Sequence, residues 1–382
     1  MAPKIKPKNP DFILIFISII LLAIGLITVL SASSMFSFQA TDNSYTLFYK
    51  QLRCAGIGLL GALLAVLFPY RYWKKVAGLS ILLSIGLLLL VEFSDLAYSA
   101  KGSTRWLNIA GFSLQPSEIA KTSLVLYFAY ILNRYPVKKF KDLFLPLMVM
   151  AVILVLVYKQ PDLGTTIVIL MVCGAMLLMT DLSIVYFVAA VPLIGIPGFY
   201  LIRNTEYQWN RILGWLYPWE YATTWGYQSV NAQISFGTGG LLGIGIGRSS
   251  QNTILPENYT DTIFAIIGEE FGFFGTSLVL LCFAVLIARG YIISRQCPER
   301  FGRLLGFGLT SLLAIQTATN LCVVTGLFPV TGITLPLISY GGTSLVITML
   351  QIGVLLNISR YRQNPSLNEV KITGHNKILS VK

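Results

Sequence analysis

Histidine and charged residues are scarce in this sequence. Only 12% of its 382 residues are Asp, Glu, Lys or Arg, and the single histidine, His375, lies in the polar C-terminal tail. Acid–base chemistry by histidine is therefore excluded from the body of the chain, and so are metal sites built from histidine and cysteine. Any chemistry there must use carboxylates, lysine, arginine, hydroxyls or amides.

Cysteine is also rare, and its positions argue against disulfide bonds. Of the five cysteines, Cys54, Cys173, Cys282 and Cys322 fall inside apolar runs, and Cys297 falls in a predicted cytoplasmic loop. Because none falls in a predicted external loop, the sequence predicts no disulfide framework.

Apolar residues are abundant instead. They make up 55% of the chain, and the mean hydropathy is +0.72. Repeated apolar runs of about 20 residues are typical of membrane-spanning helices. The first run, residues 12–30, is too long for the core of a signal peptide, and we expect it to be retained. The sequence predicts ten spans, at about residues 12–33, 46–68, 73–93, 116–133, 143–158, 163–180, 182–202, 262–288, 304–327 and 335–358.

These spans define an all-α polytopic membrane protein. We predict one transmembrane domain, residues 1–361, followed by a polar cytoplasmic tail, residues 362–382, that is expected to be disordered. A long external loop between spans seven and eight, residues 203–260, carries four of the six tryptophans. A loop so rich in aromatic side chains predicts helices that are partly inserted into the membrane or lie at its surface.

The basic residues are distributed unevenly between the predicted loops. The net charge of +12 would by itself fit a nucleic-acid partner. Of the 28 Lys and Arg residues, however, 19 fall at the termini and in one set of loops, and 9 fall in the other loops and the spans. Such a bias marks the cytoplasmic side of a membrane protein. We therefore expect both termini in the cytoplasm and no nucleic-acid partner.

Two carboxylates precede the eighth span. Asp261 follows Thr260, a predicted helix N-cap, and Glu257 lies four residues earlier. The helix dipole alone also favours a carboxylate at a helix start. An aspartate in a partly desolvated site with a hydroxyl within reach can act as a general base. Asp261 is therefore the first candidate for a catalytic residue, and Glu257 is the second.

Further charged side chains fall in or beside the spans. Glu118 and Lys121 are three residues apart on one helical face, behind Pro116 in the first turn. They are interpreted either as a functional pair or as an ion pair that lowers its own cost of insertion. Arg53, in the second span, needs a partner or a polar cavity. Arg105 is interpreted either as a phosphate ligand or as an arginine that reaches the membrane surface.

Glycine is concentrated shortly before Asp261, at positions 237, 239, 240, 243, 245 and 247. The run would suit a phosphate cradle, but it matches no specific phosphate-binding motif, and glycines equally permit close packing of helices. Glu269 and Glu270 follow in the next apolar run, where a carboxylate needs a partner or a function. The glycine run is therefore open to both interpretations.

A second irregular stretch lies near the end of the membrane domain. Residues 328–345 contain two prolines and three glycines within an otherwise apolar segment. Irregular backbone at membrane depth is tolerated where it lines a cavity walled by protein. The stretch therefore predicts a cavity wall.

Six motifs, in this order, resemble the bacterial SEDS family of shape, elongation, division and sporulation proteins, which comprises RodA, FtsW and SpoVE. They are GSTRW (102–106), QPSEIAK (115–121), KQPDLGTT (159–166), FGTGGLLGIGIG (236–247), LPENYTDTIFAIIGEEFG (255–272) and FPVTGITLPLISYGGTSL (328–345). The similarity extends from the first span to about Tyr361. Thr262 departs from the family, which usually has phenylalanine there, and the run IIGEE is nearer to FtsW and SpoVE than to RodA.

The resemblance implies a peptidoglycan glycosyltransferase with ten spans. Such an enzyme polymerises lipid II at the outer face of the bacterial cytoplasmic membrane. It acts with a class B penicillin-binding protein among other membrane proteins of the divisome or elongasome. The family's essential aspartate falls on Asp261. The resemblance and the charged side chains together predict a substrate site formed by Arg53, Arg105, Glu118, Lys121, Asp162, Arg248, Glu257 and Ser339.

The implied reaction fits the side chains that are present. A GlcNAc 4-hydroxyl attacks an anomeric carbon whose leaving group is undecaprenyl pyrophosphate, so the site needs a base and positive charge. Asp261 would be the base. The positive charge would come from Arg105, Lys121, Arg53 and Arg248, or from a divalent cation such as magnesium or manganese.

Two other functions fit the same features of the sequence. A lipid II flippase would use a similar cavity, but it needs a polar route through both leaflets, and the polar candidates cluster on the outer side. A scaffold that only recruits a cell-wall synthase would not need a base at position 261. Division, elongation and sporulation subtypes are not distinguished by these residues.

Overall fold

The computed structural model of the protein describes residues 7–95, 97–100, 103–109, 112–135, 137, 140–252, 254–255 and 258–362. Glu257 and the predicted tail after residue 362 lie outside the described residues. The described helices are α1 (Phe12–Thr41), α2 (Thr46–Leu67), α3 (Trp73–Phe93), α4 (Pro116–Arg134), α5 (Phe144–Lys159), α6 (Leu163–Leu177), α7 (Ile184–Arg203), α8 (Glu206–Leu216), α9 (Tyr227–Gly239), α10 (Ile263–Gln296), α11 (Arg300–Val324) and α12 (Gly342–Ser359).

The predicted fold class, an all-α polytopic membrane protein, is confirmed. Eight of the described helices are long and apolar enough to cross a membrane: α1, α2, α3, α5, α7, α10, α11 and α12. The other two predicted spans are α4 and α6. Helix α6 is a shorter apolar helix of 15 residues, and α4 carries the charged residues Glu118 and Lys121 in its first turns.

The two ends of the described chain lie on one face of the helical body. The Lys8 N–H donates to the Arg360 carbonyl at 2.7 Å. Asp11, the N-cap of α1, pairs with Arg289 at the end of α10 and with Arg362 after α12. Burial alone would raise the pKa of Asp11, but the hydrogen bond and charge of Arg289, with the charge of Arg362, hold that pKa below its usual value. This shared face is consistent with the predicted even number of spans.

The opposite face carries a small sheet that the sequence did not predict. Strands β1 (Ala97–Ala100), β2 (Ser103–Ile109) and β3 (Phe112–Leu114) form an antiparallel sheet in the order β1-β2-β3. The strands span 4, 7 and 3 residues, which is too short for a clear alternating pattern in the sequence. Leu107 of β2 is fully buried and anchors the sheet on the helices.

The long loop before α10 contains helices, as the sequence predicted. Helices α8 and α9 lie within it. Trp215 of α8 donates from its indole nitrogen to the Gly326 carbonyl at 2.9 Å, and Arg211 donates to the Val330 carbonyl at 3.2 Å. These bonds dock α8 on the connection between α11 and α12. Helix α7, by contrast, has no buried residue and lies at the periphery.

Two helix starts differ from their predictions. Helix α10 begins at Ile263 with Thr262 as N-cap, and no side chain caps it, so the expectation that Thr260 is the N-cap was wrong. Helix α12 begins at Gly342 rather than at residue 335. Residues 328–341, which we call the outer loop, form no helix, because Leu337 has a φ of 65° and prolines interrupt the run. The predicted irregular backbone is confirmed.

Candidate functional site

Asp261 lies where the chain enters α10, against the outer loop. Its side chain is half-buried. A Cβ built on Gly332 of the outer loop would lie 3.6 Å from Oδ2 of Asp261. The residue that faces the carboxylate is therefore a glycine, which has no side chain. The carbonyl of Asp261 accepts a hydrogen bond of 2.7 Å from Asn320 of α11. The predicted catalytic residue is thus held between α11 and the outer loop.

The residues just before Asp261 are bonded to the outer loop as well. The Ser339 hydroxyl donates to the Thr260 carbonyl at 2.7 Å, and the Tyr340 N–H donates to the Tyr259 carbonyl at 2.8 Å. Ser339 also accepts from the Leu335 N–H at 2.8 Å and is buried. Its only donor is therefore used inside the protein. The structure gives Ser339 a role in holding the Asp261 segment, and its predicted contact with substrate stays a prediction.

Glu118 and Lys121 form the buried pair that their spacing predicted. Lys121 Nζ lies 2.8 Å from Glu118 Oε1, and only 2% and 9% of the two side chains, respectively, are exposed. The start of α4 is attached to α12, because the Gln115 N–H donates to the Thr343 hydroxyl at 3.1 Å. The pair therefore lies at the outer end of the bundle core. A contact of either residue with substrate stays a prediction.

Arg105 and Asp162 are brought together by the fold. The Arg105 Nη1 lies 3.7 Å from Asp162 Oδ1, and Arg105 Nε donates to the Gln160 carbonyl at 2.9 Å. A further bond runs to the Pro161 carbonyl. Asp162 also caps α6 by accepting from the Thr165 N–H at 3.1 Å. Arg105 thus fastens β2 to the corner between α5 and α6, and its donors are largely engaged within the protein.

Gly164, at the start of α6, packs against the outer loop next to Asp261. A Cβ added to Gly164 would lie 2.6 Å from the Thr331 carbonyl, which a side chain could not tolerate. Thr331 precedes Gly332, the residue that faces Asp261. The motif KQPDLGTT, the outer loop and Asp261 therefore form one continuous site.

Arg53 and Arg248 are exposed, and neither makes an ion pair with another residue that the structure describes. Arg53 lies near the outer end of α2. Nearby Gln51 is buried and bonds twice to the outer loop, to the Ser339 carbonyl at 3.1 Å and from the Gly341 N–H at 3.3 Å. Neither Gln51 nor Asn320 was predicted from the sequence. Their signal was an amide side chain inside an apolar run.

The glycine run packs against α10. Glu269 accepts from the Ser250 N–H at 3.1 Å, from the Ser250 hydroxyl at 2.9 Å and from Ser249. Glu270 accepts from the Gly247 N–H at 3.0 Å and from Ser31. The segment of residues 240–252, which we call the glycine loop, therefore directs several of its donors at the two carboxylates. Of the two interpretations, close packing is the one that the structure supports.

Gly272 shows why this packing needs glycine. It interrupts α10 with a φ of 65°, a conformation that favours glycine. A Cβ there would also lie 2.4 Å from the Gly243 nitrogen. Beyond the interruption, the Phe273 N–H donates to the Gly240 carbonyl at 2.9 Å, so the glycine loop caps the second part of α10.

The described residues contain no group of three or more His, Cys, Asp or Glu side chains that could hold a metal ion. Magnesium is often bound by one or two carboxylates together with the phosphates of a substrate. Asp261 is one of the carboxylates of the described site, and Asp162 is another. The predicted divalent cation stays a prediction.

The sequence of this site matches an established protein family. The family model of the cell cycle proteins FtsW, RodA and SpoVE matches residues 12–364. The chain belongs to this family. Members of the FtsW/RodA/SpoVE family that resemble it include stage V sporulation protein E of Bacillus subtilis (strain 168), which is 38% identical over 361 residues, 93% of this chain and 98% of that protein. The family expected from the six motifs is thus confirmed.

Other relatives carry functional names and solved structures. The probable peptidoglycan glycosyltransferase FtsW of Geobacter metallireducens is 37% identical over 91% of this chain and 94% of that protein. A chain in a solved peptidoglycan synthase complex that coordinates polymerization and crosslinking superimposes with a TM-score of 0.79, at 28% identity over 93% of this chain and 99% of that one. The rod shape determining protein RodA of Thermus thermophilus gives a TM-score of 0.69 at 27% identity, over 93% and 98% of the two chains.

Proposed function

We propose that this protein is a peptidoglycan glycosyltransferase that polymerises lipid II at the outer face of the bacterial cytoplasmic membrane. The observation that carries the proposal is the position of Asp261. It is half-buried, its carbonyl is bonded to a transmembrane helix, and a bare glycine faces its carboxylate. Relatives named as probable peptidoglycan glycosyltransferases match over more than nine-tenths of the chain.

Asp261 acts as the general base in this proposal. It takes the proton from the GlcNAc 4-hydroxyl of one substrate as the oxygen attacks the anomeric carbon of the other. The bond from that carbon to the pyrophosphate oxygen breaks, and undecaprenyl pyrophosphate leaves with the electron pair. A positioned base of this kind typically contributes about 10²–10⁴-fold to a rate.

The exposed arginines Arg53 and Arg248 supply positive charge for the pyrophosphate. Both have guanidinium groups that make no ion pair with a described residue. Arg105 and Lys121 instead maintain the shape of the site, because their charges are already paired with Asp162 and Glu118. A bound magnesium or manganese ion would add positive charge at the same pyrophosphate.

The protein functions with a class B penicillin-binding protein and with other membrane proteins of cell-wall synthesis. Support comes from the similarity to a chain of a solved peptidoglycan synthase complex. Both termini face the cytoplasm, because the described chain ends lie together and 19 of the 28 Lys and Arg residues fall at the termini and in the loops predicted on that side.

The test of the activity uses the purified protein with its penicillin-binding partner in detergent. Fluorescent lipid II is added, and the length of the glycan strands is measured. Detergent micelles have no two sides, so a flippase gives no product; a scaffold gives none either, and any product that does not depend on Asp261 comes from another synthase in the preparation. We expect strands with the wild type and with Asp181→Asn, and almost none with Asp261→Asn. Asp181 is an exposed aspartate beyond α6.

A further inference from the structure

Asn320 connects Asp261 to two parts of the structure. Its side chain lies on α11, is only 1% exposed, and donates from Nδ2 to the carbonyls of Asp261 and Ile333 at 2.7 Å each. The first carbonyl belongs to the segment that enters α10, and the second belongs to the outer loop. One side chain of a transmembrane helix thus holds both walls of the site.

The chemistry of the two partners requires an amide at this position. Both partners are carbonyl oxygens, so only the NH₂ end of the side chain can face them, and asparagine provides two donors there. A hydroxyl would provide one donor, and an ionised carboxylate would provide none. The Asn320 Oδ1 has no hydrogen-bond partner among the described residues. The two donated bonds are therefore what orients this side chain.

Both bonds are adjacent to the carboxylate of Asp261. One is made by the backbone of Asp261 itself. The other is accepted by the carbonyl of Ile333. Ile333 follows Gly332, and a Cβ added to Gly332 would lie 3.6 Å from Asp261 Oδ2. Ser339 also joins the two walls, but its bond to the Thr260 carbonyl lies one residue earlier and comes from the outer loop itself. Asn320, by contrast, attaches both walls to the transmembrane helix α11.

We propose that Asn320 is a positioning residue for Asp261, which fixes the carboxylate and the facing glycine at the distance that proton transfer needs. The proposal rests on the proposed role of Asp261 as the base. A base must lie within hydrogen-bond reach of the proton that it takes. A displacement of about 1 Å can cost about 100-fold in rate, even when the mutation is remote from the reacting atoms.

The test compares two variants with a matched control in the purified complex with the penicillin-binding partner. Asn320→Leu has a similar volume and no donor, and Asn320→Asp has the same shape and, when ionised, no donor. The control is Thr310→Val, which removes a buried hydrogen bond of the same helix, from the Thr310 hydroxyl to the Gly306 carbonyl at 2.8 Å. For each protein, kcat and KM for lipid II and the melting temperature are measured.

Positioning predicts that both Asn320 variants lower kcat by about 10- to 100-fold. It also predicts that their KM stays within about threefold of the wild type, although their melting temperatures fall below that of Thr310→Val because two buried carbonyls lose their donor. Asp261→Asn combined with Asn320→Leu is expected to be no slower than Asp261→Asn alone, because residues that act as a unit are not additive.

Wild-type kcat in both Asn320 variants would overturn the proposal. So would a loss of kcat matched by an equal loss of lipid II binding and of melting temperature, which indicates a structural role only. The two proposals fail differently. If Asp261→Asn is slow and the Asn320 variants are not, only the positioning role fails. If Asp261→Asn is as fast as the wild type, both fail.

Discussion

At the scale of single residues, the site depends on buried polar side chains that bond to backbone. Gln51, Asn320 and Ser339 each bond to backbone groups of the outer loop or of the Asp261 segment. Such bonds are individually modest, at about 0.5–1.5 kcal/mol each, but an unpaired buried partner costs about 1–3 kcal/mol. The arrangement therefore resists small displacements of Asp261.

The Glu118–Lys121 pair provides a test at this scale. Removal of one partner leaves a buried charge unpaired, which costs about 3–5 kcal/mol. We expect Glu118→Gln and Lys121→Met each to lower the melting temperature and to reduce polymerisation strongly. The double variant Glu118→Gln with Lys121→Met is expected to melt closer to the wild type, because it leaves neither charge alone.

The control for this pair is Lys74→Met, since Lys74 is partly exposed and lies 3.9 Å from Glu299 on the opposite face. It should change stability by no more than about 1 kcal/mol. Near-normal polymerisation by both single variants at positions 118 and 121 would show that the pair has no coupled role.

The residue-scale contacts were only partly predictable from the sequence. The Glu118–Lys121 pair was predictable because both partners lie on one helix, three residues apart. The bond from Asn320 to Asp261 was not, because its acceptor is a backbone atom 59 positions away, and the bond from Gln51 joins positions 288 apart. Because every residue has a backbone carbonyl, the sequence does not indicate which carbonyl accepts such a bond.

At the scale of elements, the glycine loop and α10 stabilise each other. The loop directs N–H and hydroxyl donors at Glu269 and Glu270, and its carbonyl at Gly240 caps the helix beyond Gly272. The sequence left two functions open for the glycines, and it could not decide between them because the acceptors lie on another element. The membrane helices themselves were predictable, since bilayer thickness sets the length of their apolar runs.

A substitution at Glu269 tests this element. Glu269→Gln replaces one acceptor oxygen by an NH₂ group that faces the donors of Ser249 and Ser250. We expect a loss of about 1–3 kcal/mol in stability, because buried donors lose their acceptor. Cleavage within the glycine loop by a protease should become faster than in the wild type.

The matched control is Glu299→Gln, which removes a partly exposed partner of Arg71 on the other face. It should leave cleavage of the glycine loop unchanged and cost no more than about 1 kcal/mol. If Glu269→Gln behaves like this control, the two carboxylates do not anchor the loop.

At the scale of the whole molecule, the two faces have different chemistry. One face gathers both ends of the described chain with Asp11, Arg289 and Arg362, and the other gathers the sheet, the outer loop and Asp261. The distribution of basic residues predicts that the first face is cytoplasmic. Our proposed function requires that orientation, because the glycan strand is made outside.

Cysteine labelling tests the orientation. One variant carries a new cysteine at Lys141 and another at Glu220. Both residues are exposed, and the predicted topology puts them on opposite sides of the membrane. A thiol reagent that does not cross membranes should label the Glu220 variant in intact cells and the Lys141 variant only after lysis. Protein without a new cysteine measures labelling of the native thiols. The reverse pattern would place Asp261 in the cytoplasm.

The central claim is that Asp261 is the base for glycan polymerisation. The most direct measurement compares the polymerisation rate and the affinity for lipid II of the wild type and Asp261→Asn, each purified with the penicillin-binding partner. Asparagine preserves the shape and one acceptor oxygen but cannot take the proton, so we predict a rate lower by about 10²–10⁴-fold with affinity unchanged. A wild-type rate would contradict the claim and make Glu257 the next candidate. A loss of lipid II binding would contradict it too, because Asp261 would then be a ligand of the substrate rather than its base.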